Sequence, residues 1–291
     1  MRLIPGILAL SLAFVLVEAA PASAAAPGGR LLVLDDRDGG QGVFSMRARG
    51  GDVRRLNLNI PPYGHPDYSP DGKRVAYTDV WSVYTVKADG TDRRWVIDGP
   101  SVPAYPRWSP DGTEVGFESG NIMAGAVAAP AGRPVYTASD SGSLTFDWSP
   151  DGRFVAVVQS WAVGGEPWDP VYARDIWIAR SDGSNVARRL TTRAETWDPY
   201  RIAWSPHGRT LAVEALGDLW TIDVRTGAVT NLTATPGVAE SSPIWSPDSR
   251  VLAFGRQAAG ATGPQVWLRP AAARGDAGRS LSVTGIPTSW H

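Results

Sequence analysis

The densest run of chemistry-bearing side chains is Trp161-Ala-Val-Gly-Gly-Glu166-Pro-Trp168-Asp169-Pro-Val-Tyr172, which sets three aromatic rings and two carboxylates among turn formers. A second group follows at Trp197, Asp198, Tyr200 and Arg201, and His65 and Tyr105 stand alone in earlier linking segments. Flat rings cover the apolar face of a sugar or a peptide, and nearby charges fix its orientation. These residues form the expected ligand-binding set. The competing reading is a lid packed on its own tryptophans.

Catalytic constellations are thin. The three histidines are His65, His207 and His291; His207 replaces an aspartate in a turn on the opposite face and His291 is the last residue, so a three-histidine metal site would need implausible geometry. His65 with Asp67 could act as an acid or base, although a satisfied surface pair is the plainer account. Asp147, Asp198 and Glu240 could line a channel mouth or offer oxygens to calcium; a hydrated polar channel is the plainer account. There is no G-x-S-x-G elbow, phosphate loop or dinucleotide fingerprint. The expectation is no catalytic residue, no metal ligand and no cofactor.

The elements that must position these groups are written five times. Tyr68-Ser-Pro-Asp-Gly72, Trp108-Ser-Pro-Asp-Gly112, Trp148-Ser-Pro-Asp-Gly152, Trp204-Ser-Pro-His-Gly208 and Trp245-Ser-Pro-Asp-Ser249 place their serines 40, 40, 56 and 41 residues apart. A period near forty suits one four-stranded sheet repeated around a ring. Proline pre-sets φ, aspartate bonds nearby backbone and glycine accepts positive φ, so the phrase is a tight turn between strands. After it come apolar second strands such as Val75-Ala76-Tyr77 and Val155-Ala156-Val157. Third strands follow, marked by Val83-Tyr84, Ile176-Trp177, Leu219-Trp220 and Val266-Trp267. Most of the 13 tryptophans fall in these slots, as wedges between sheets. The 16 residues of excess in the long step fall on Trp161 to Arg174, read as a loop joining second and third strands.

Residues 31–58 supply a second, third and fourth strand with no first, whereas Ile286 to His291 supplies a first strand with no successor. One end therefore completes the other's sheet. The expected fold is an all-β six-bladed propeller over 31–291, its shared blade closed by the C-terminal strand. Ahead of it, Arg2, the apolar run Leu3 to Val17 and Ala22-Ser-Ala24 read as a signal peptide over 1–24, with a short leader at 25–30. Without residues 1–24 the net charge stays at −1, which gives no electrostatic reason to expect nucleic acid. There is no cysteine, so the ring must be locked by packing and closure.

The repeated phrase, its apolar-Ala-aromatic sequel and the turn Val86-Lys-Ala-Asp-Gly90 closely resemble the WD40-like PD40 repeat of the TolB-type six-bladed propeller. The resemblance covers about residues 30–291 and implies a stand-alone propeller without the α/β domain that precedes it in TolB. The same propeller also stands in front of prolyl-oligopeptidase-type hydrolases, whose nucleophile elbow is not written here. The resulting expectation is a secreted or periplasmic bacterial protein, monomeric, with no membrane insertion after signal cleavage. It would bind a protein, peptide or glycan at the cell envelope through its loop face. The alternative is an extracellular polysaccharide hydrolase or lyase with its site at the channel mouth.

Overall fold

The computed structural model describes residues 28–35, 42–58, 60–61, 64–129, 131–138, 143–166, 169–192, 197–274 and 278–291, without the side chains of 143, 144, 166, 169 and 170. The segment read as a signal peptide lies outside them, as does Trp168. Among the described residues there are 24 strands in six four-stranded antiparallel sheets, and no helix.

Blade one joins β24 (Ile286–Trp290) to β1 (Arg30–Asp35), β2 (Gly42–Arg47) and β3 (Arg54–Leu56). The other blades are consecutive. Their inner strands are β4 (Asp67–Tyr68), β8 (Ala104–Trp108), β12 (Ser143–Trp148), β16 (Pro199–Trp204) and β20 (Val238–Trp245). Their second strands are β5 (Arg74–Thr78), β9 (Glu114–Glu118), β13 (Phe154–Glu166), β17 (Thr210–Ala215) and β21 (Val251–Ala258). The expected closure is therefore present: β24 pairs with β1 in antiparallel register, Leu31 opposite Trp290 and Leu34 opposite Ile286.

The hydrophobic core is divided. Six apolar clusters each lie between two neighbouring blades, including one between the sixth and the first that joins Ile244, Val251 and Ala253 to Leu31, Val33 and Met46. The second strands carry it, because both their faces are covered: Val75, Ala76, Val155, Ala156, Leu211, Ala212, Leu252 and Ala253 are wholly buried. Small residues at the centre of these strands let the sheets approach. Where Gly116 replaces alanine, a Cβ would lie 2.8 Å from the Phe146 ring of the next blade.

The repeated phrase forms the same hydrogen-bonded turn each time. In the third copy the Ser149 hydroxyl donates to Asp151 Oδ1 at 2.6 Å, Arg153 N–H donates to the same oxygen at 3.1 Å, and Phe154 N–H donates to Ser149 Oγ at 2.9 Å. The glycine takes φ between 66° and 79° in the four copies that have one. In the fourth copy His207 Nδ1 stands in for the carboxylate oxygen, 3.0 Å from Ser205 Oγ and accepting Arg209 N–H at 3.1 Å. In the fifth, Ser249 adopts φ 60° in place of glycine, and its hydroxyl accepts His207 N–H across the blade boundary at 3.1 Å. The two departures from the phrase thus touch each other.

The phrase serine is buried and satisfies two partners at once. Ser149→Ala should therefore cost about 1–3 kcal/mol of unfolding free energy in urea titrations, the penalty for an orphaned buried N–H. The phrase carboxylates predict an acid limit as well. The Ser69 hydroxyl first, and then Lys73 N–H, hold Asp71 at about 2, and Asp111, Asp151 and Asp248 are lowered by the same pair of donors. A folded-state value below the unfolded one gives stability that is present above the ordinary aspartate range and lost as pH falls towards about 2. Denaturant midpoints measured between pH 5 and 2 should drop over that window, and the drop should shrink in a variant with these aspartates changed to asparagine.

Candidate functional site

Antiparallel order puts the phrase turns at one end of the ring. The second-to-third-strand links and the blade-to-blade links lie at the other end. The inner strands run between the two and line a central channel. Five of the six carry a bulge in their pairing with the second strand: between Ala104 and Arg107, Ser143 and Thr145, Pro199 and Arg201, Ser241 and Ile244, and opposite the Leu32–Val33 step in β24. A bulge adds a residue, bends the strand and re-aims a side chain. Tyr105 and Ser242 sit in these irregular stretches with φ 51° each.

The bulges at Tyr105 and Tyr200, with the segment that enters β4, bring four of the expected site residues together at the mouth. Arg201 Nη2 lies 2.7 Å from His65 Nε2, and the Arg201 guanidinium lies 4.1 Å from the Tyr105 ring centroid and 5.0 Å from that of Tyr200. His65 and Tyr105 are in ring contact at 5.3 Å. The cluster extends outward through Arg174, whose Nη1 donates to Asp198 at 2.6 Å and whose guanidinium lies 5.9 Å from the Tyr200 ring. Because a guanidinium only donates, His65 Nε2 is the acceptor and the imidazole is neutral. Burial, then Arg201, then Arg107 hold His65 well below the ordinary histidine range.

Deeper in the channel, the residue just before each phrase aromatic shows a pattern the sequence reading missed. Ser289 Oγ accepts Tyr68 N–H at 3.0 Å, Asp67 accepts Trp108 N–H at 2.9 Å, and Asp147 accepts Trp204 N–H at 2.7 Å, each in the next blade. Nearer the mouth, Glu214 Oε2 likewise accepts Ser242 N–H at 2.8 Å. Arg107 occupies the same station as Asp67 and Asp147 and cannot accept; the amide it would have served, Trp148 N–H, turns to its own Asp147 Oδ1 at 3.0 Å. Burial raises Asp67 and Glu214, and raises Asp147 to about 6 against the opposing pull of Arg107. The sequence did hold the signal: the position preceding the aromatic reads Asp67, Arg107, Asp147, Ala203, Ile244 and Ser289.

The remaining expected residues fall elsewhere. The segment from Trp161 to Arg174 is not a loop but a ribbon: β13 and β14 (Asp169–Arg180) pair continuously from Phe154–Arg180 to Glu166–Asp169, with one bulge at Ala162–Gly164. Tyr172 is half-exposed on the face that also carries Arg174. Trp161 is opposite Ala173 and so lies on the other face, where it covers Arg189 at 4.9 Å. Arg189 is itself ion-paired to the fully buried Asp175. Trp197 is 4% exposed and packs edge-on to Trp220 at 5.0 Å inside an inter-blade core. The ribbon places Glu166 and Asp169 opposite each other, but their side chains lie outside the description. A cleft of about 550 Å³ lies on the phrase face between blades three and four. Its charges are engaged, Arg133 with Glu114 at 2.6 Å and with the Ser181 carbonyl at 2.6 Å, so it is a crease between blades. Among the described residues no cluster of three His, Asp or Glu could hold a metal ion.

Comparison with known proteins agrees with this architecture. No family model matches the chain. Over 208 residues it is 26% identical to the uncharacterized peptidase YuxL of Bacillus subtilis, a match covering 65% of this chain and 28% of that protein. Over 99 residues it is 29% identical to the uncharacterized protein Atu1656 of Agrobacterium fabrum, covering 32% and 33%. The chain thus spans about a third or less of the curated relatives it matches. Among solved structures, TolB from Acinetobacter baumannii superposes with a TM-score of 0.70 at 17% identity, over 90% of this chain and 66% of that one. The fold is that of a TolB-type propeller. A protein assigned as TolB from Agrobacterium tumefaciens gives 0.66 at 19% identity over 91% and 94%. An oligogalacturonate lyase from Vibrio parahaemolyticus gives 0.57 at 14% over 87% and 74%.

The deep carboxylate makes a direct prediction. Asp147 has its folded-state value raised to about 6, so its contribution to stability is present below the ordinary aspartate range and is lost as pH rises through about 6. The loss is at most about 3 kcal/mol at full burial, less where channel water reaches it. Carbon-detected NMR of the side-chain carboxyls should show one aspartate titrating near pH 6, and that resonance should vanish in Asp147→Ala.

Proposed function

We propose that this chain is a secreted, non-catalytic binding propeller that recognises a protein, peptide or glycan at the cell envelope through its loop face and channel mouth. The observation that carries this reading is the state of the titratable groups at the mouth and in the channel below it. Asp67, Asp147 and Glu214 hold backbone N–H groups of the next blade, and His65 Nε2 is occupied by Arg201. Groups fixed this way shape and charge a site, and they are poorly placed to shuttle protons. Around them, Tyr200 and Tyr172 are half-exposed on a rigid ring, as orienting contacts for a ligand should be. The TolB-type fold supports binding in general, and a monomeric, periplasmic protein is the form we propose. Among the described residues, no helix is long and apolar enough to cross a membrane.

The alternative, a polysaccharide hydrolase or lyase at the same mouth, draws on one feature: burial raises Asp147 to about 6, within the range of a working acid. The fold shared with an oligogalacturonate lyase adds no residue to it, since propellers host many functions.

The test is a binding screen of residues 25–291 against envelope proteins, peptides and glycans, run beside an assay for release of unsaturated or reducing sugar ends. Binding should weaken at least tenfold in Tyr200→Ala and in Tyr172→Ala, with no sugar released. Sugar release that disappears in Asp147→Asn would replace this reading with the enzymatic one.

A further inference from the structure

The ring of inner strands follows one rule and breaks it once. At the station before the phrase aromatic, Ser289, Asp67 and Asp147 present an acceptor that captures the next blade's amide. Arg107 stands in that ring with a guanidinium. Its one hydrogen bond among the described residues is a long contact, 3.4 Å, to the carbonyl of its own neighbour Pro106. The carboxylates nearest to it are already engaged by backbone N–H groups, and none of the described ones is within ion-pairing distance of Arg107 or Arg201. Both guanidiniums bear on the neutral imidazole of His65, and without ion-pair contact Arg107 also pulls on Asp67 and Asp147 and Arg201 on Glu214. The channel therefore offers a set of partly accessible, under-used cationic donors converging from blades three and five.

Such a set fits a carboxylate, which a planar guanidinium binds through two parallel N–H donors. Two features select which carboxylate. Arg107 follows Tyr105 by two residues on the same strand, on the side of the bulge towards the phrase turns and so deeper than the mouth. A free chain end can enter a narrow channel end-on to reach it, whereas a carboxylate in mid-chain would require the polymer to double back. In addition, the tyrosine faces at the mouth are covered by cations: Arg201 lies over Tyr105 and Tyr200, and Arg174 over Tyr200. A cation thus competes with a sugar for these faces, while the ring edges can flank a peptide.

We infer that the channel mouth receives the C-terminal carboxylate of a polypeptide, held by the guanidinium groups of Arg107 and Arg201 with Tyr105 and Tyr200 flanking the preceding residues. This rests on the proposed binding role and names the ligand class for it.

The experiment uses a pool of N-acetylated hexapeptides of randomised sequence, prepared once with free C-termini and once amidated, with binding to residues 25–291 read by fluorescence anisotropy. The free-acid pool should bind at least tenfold more tightly than the amidated pool. Arg107→Gln and Arg201→Gln should each abolish most of that ratio. Arg107→Lys should retain part of it, and thermal melts of all three variants check folding. Should Arg107→Gln not fold, the acid-to-amide ratio of the unaltered protein and its suppression by acetate still decide the matter.

Equal binding of the two pools, or a ratio indifferent to both arginines, overturns the inference. So does equally tight binding of polygalacturonate or of amidated peptides with internal glutamate. If envelope proteins or glycans bind through Tyr172 and Tyr200 while free-acid peptides do not, this inference fails and the binding role stands. If no probe of any class binds, both fail.

Discussion

An inner strand in a ring of sheets has one edge with no strand beside it, and backbone N–H groups on that edge still require acceptors. Most of the channel's chemistry follows from that constraint. Where the chain writes serine or aspartate before the phrase aromatic, the side chain crosses to the next blade and takes the amide, as Ser289, Asp67 and Asp147 do. These bonds join neighbouring blades alongside the apolar cores and the other polar contacts between them. They also consume the carboxylates. What is left over for an incoming molecule is decided by which channel residues the scaffold does not need, and those are the arginines.

The architecture was legible because it is written in repeats and local turn chemistry. Ser, Pro, Asp and Gly each have a backbone reason for their place, and the missing first strand at one end of the sequence is matched by the surplus one at the other, β1 and β24. The site was legible only in part. His65, Tyr105, Tyr200 and Arg201 were foreseen and do meet, because each lies in a segment leading into an inner strand. Trp161 and Trp197 were read as ligand contacts from their aromatic company, yet period-two alternation turns Trp161 to the opposite ribbon face and packing takes Trp197 into a core. Arg107 went unnoticed because nothing local marks it. Its meaning depends on comparing one station across six blades and on knowing that its neighbours' side chains are already bonded.

The long step between the third and fourth phrases illustrates a related point. An insertion of aromatics, glycines and prolines reads as a loop, and the chain instead extends two existing strands past the sheet edge. Continuing a ladder satisfies backbone groups without new partners, which a long irregular loop would have to find. The extension rises beside the channel mouth on blade four, and its Arg174 anchors on Asp198 at the start of blade five. The ribbon's Tyr172 face is thereby held next to the mouth.

Ring closure has a mechanical side. Arg30 and His291 bond each other in both directions, N–H to carbonyl at 2.5 and 2.9 Å, at the same end of the β1–β24 pair. Tension applied between Gly28 and His291 would load that single pair first and then open the ladder rung by rung, as a zip, where the same number of bonds pulled in shear would resist together. The contact that makes the ring stable at rest is thus also its weakest seam under directed force. The interfaces between blades would then yield not in random order but from the first blade outward.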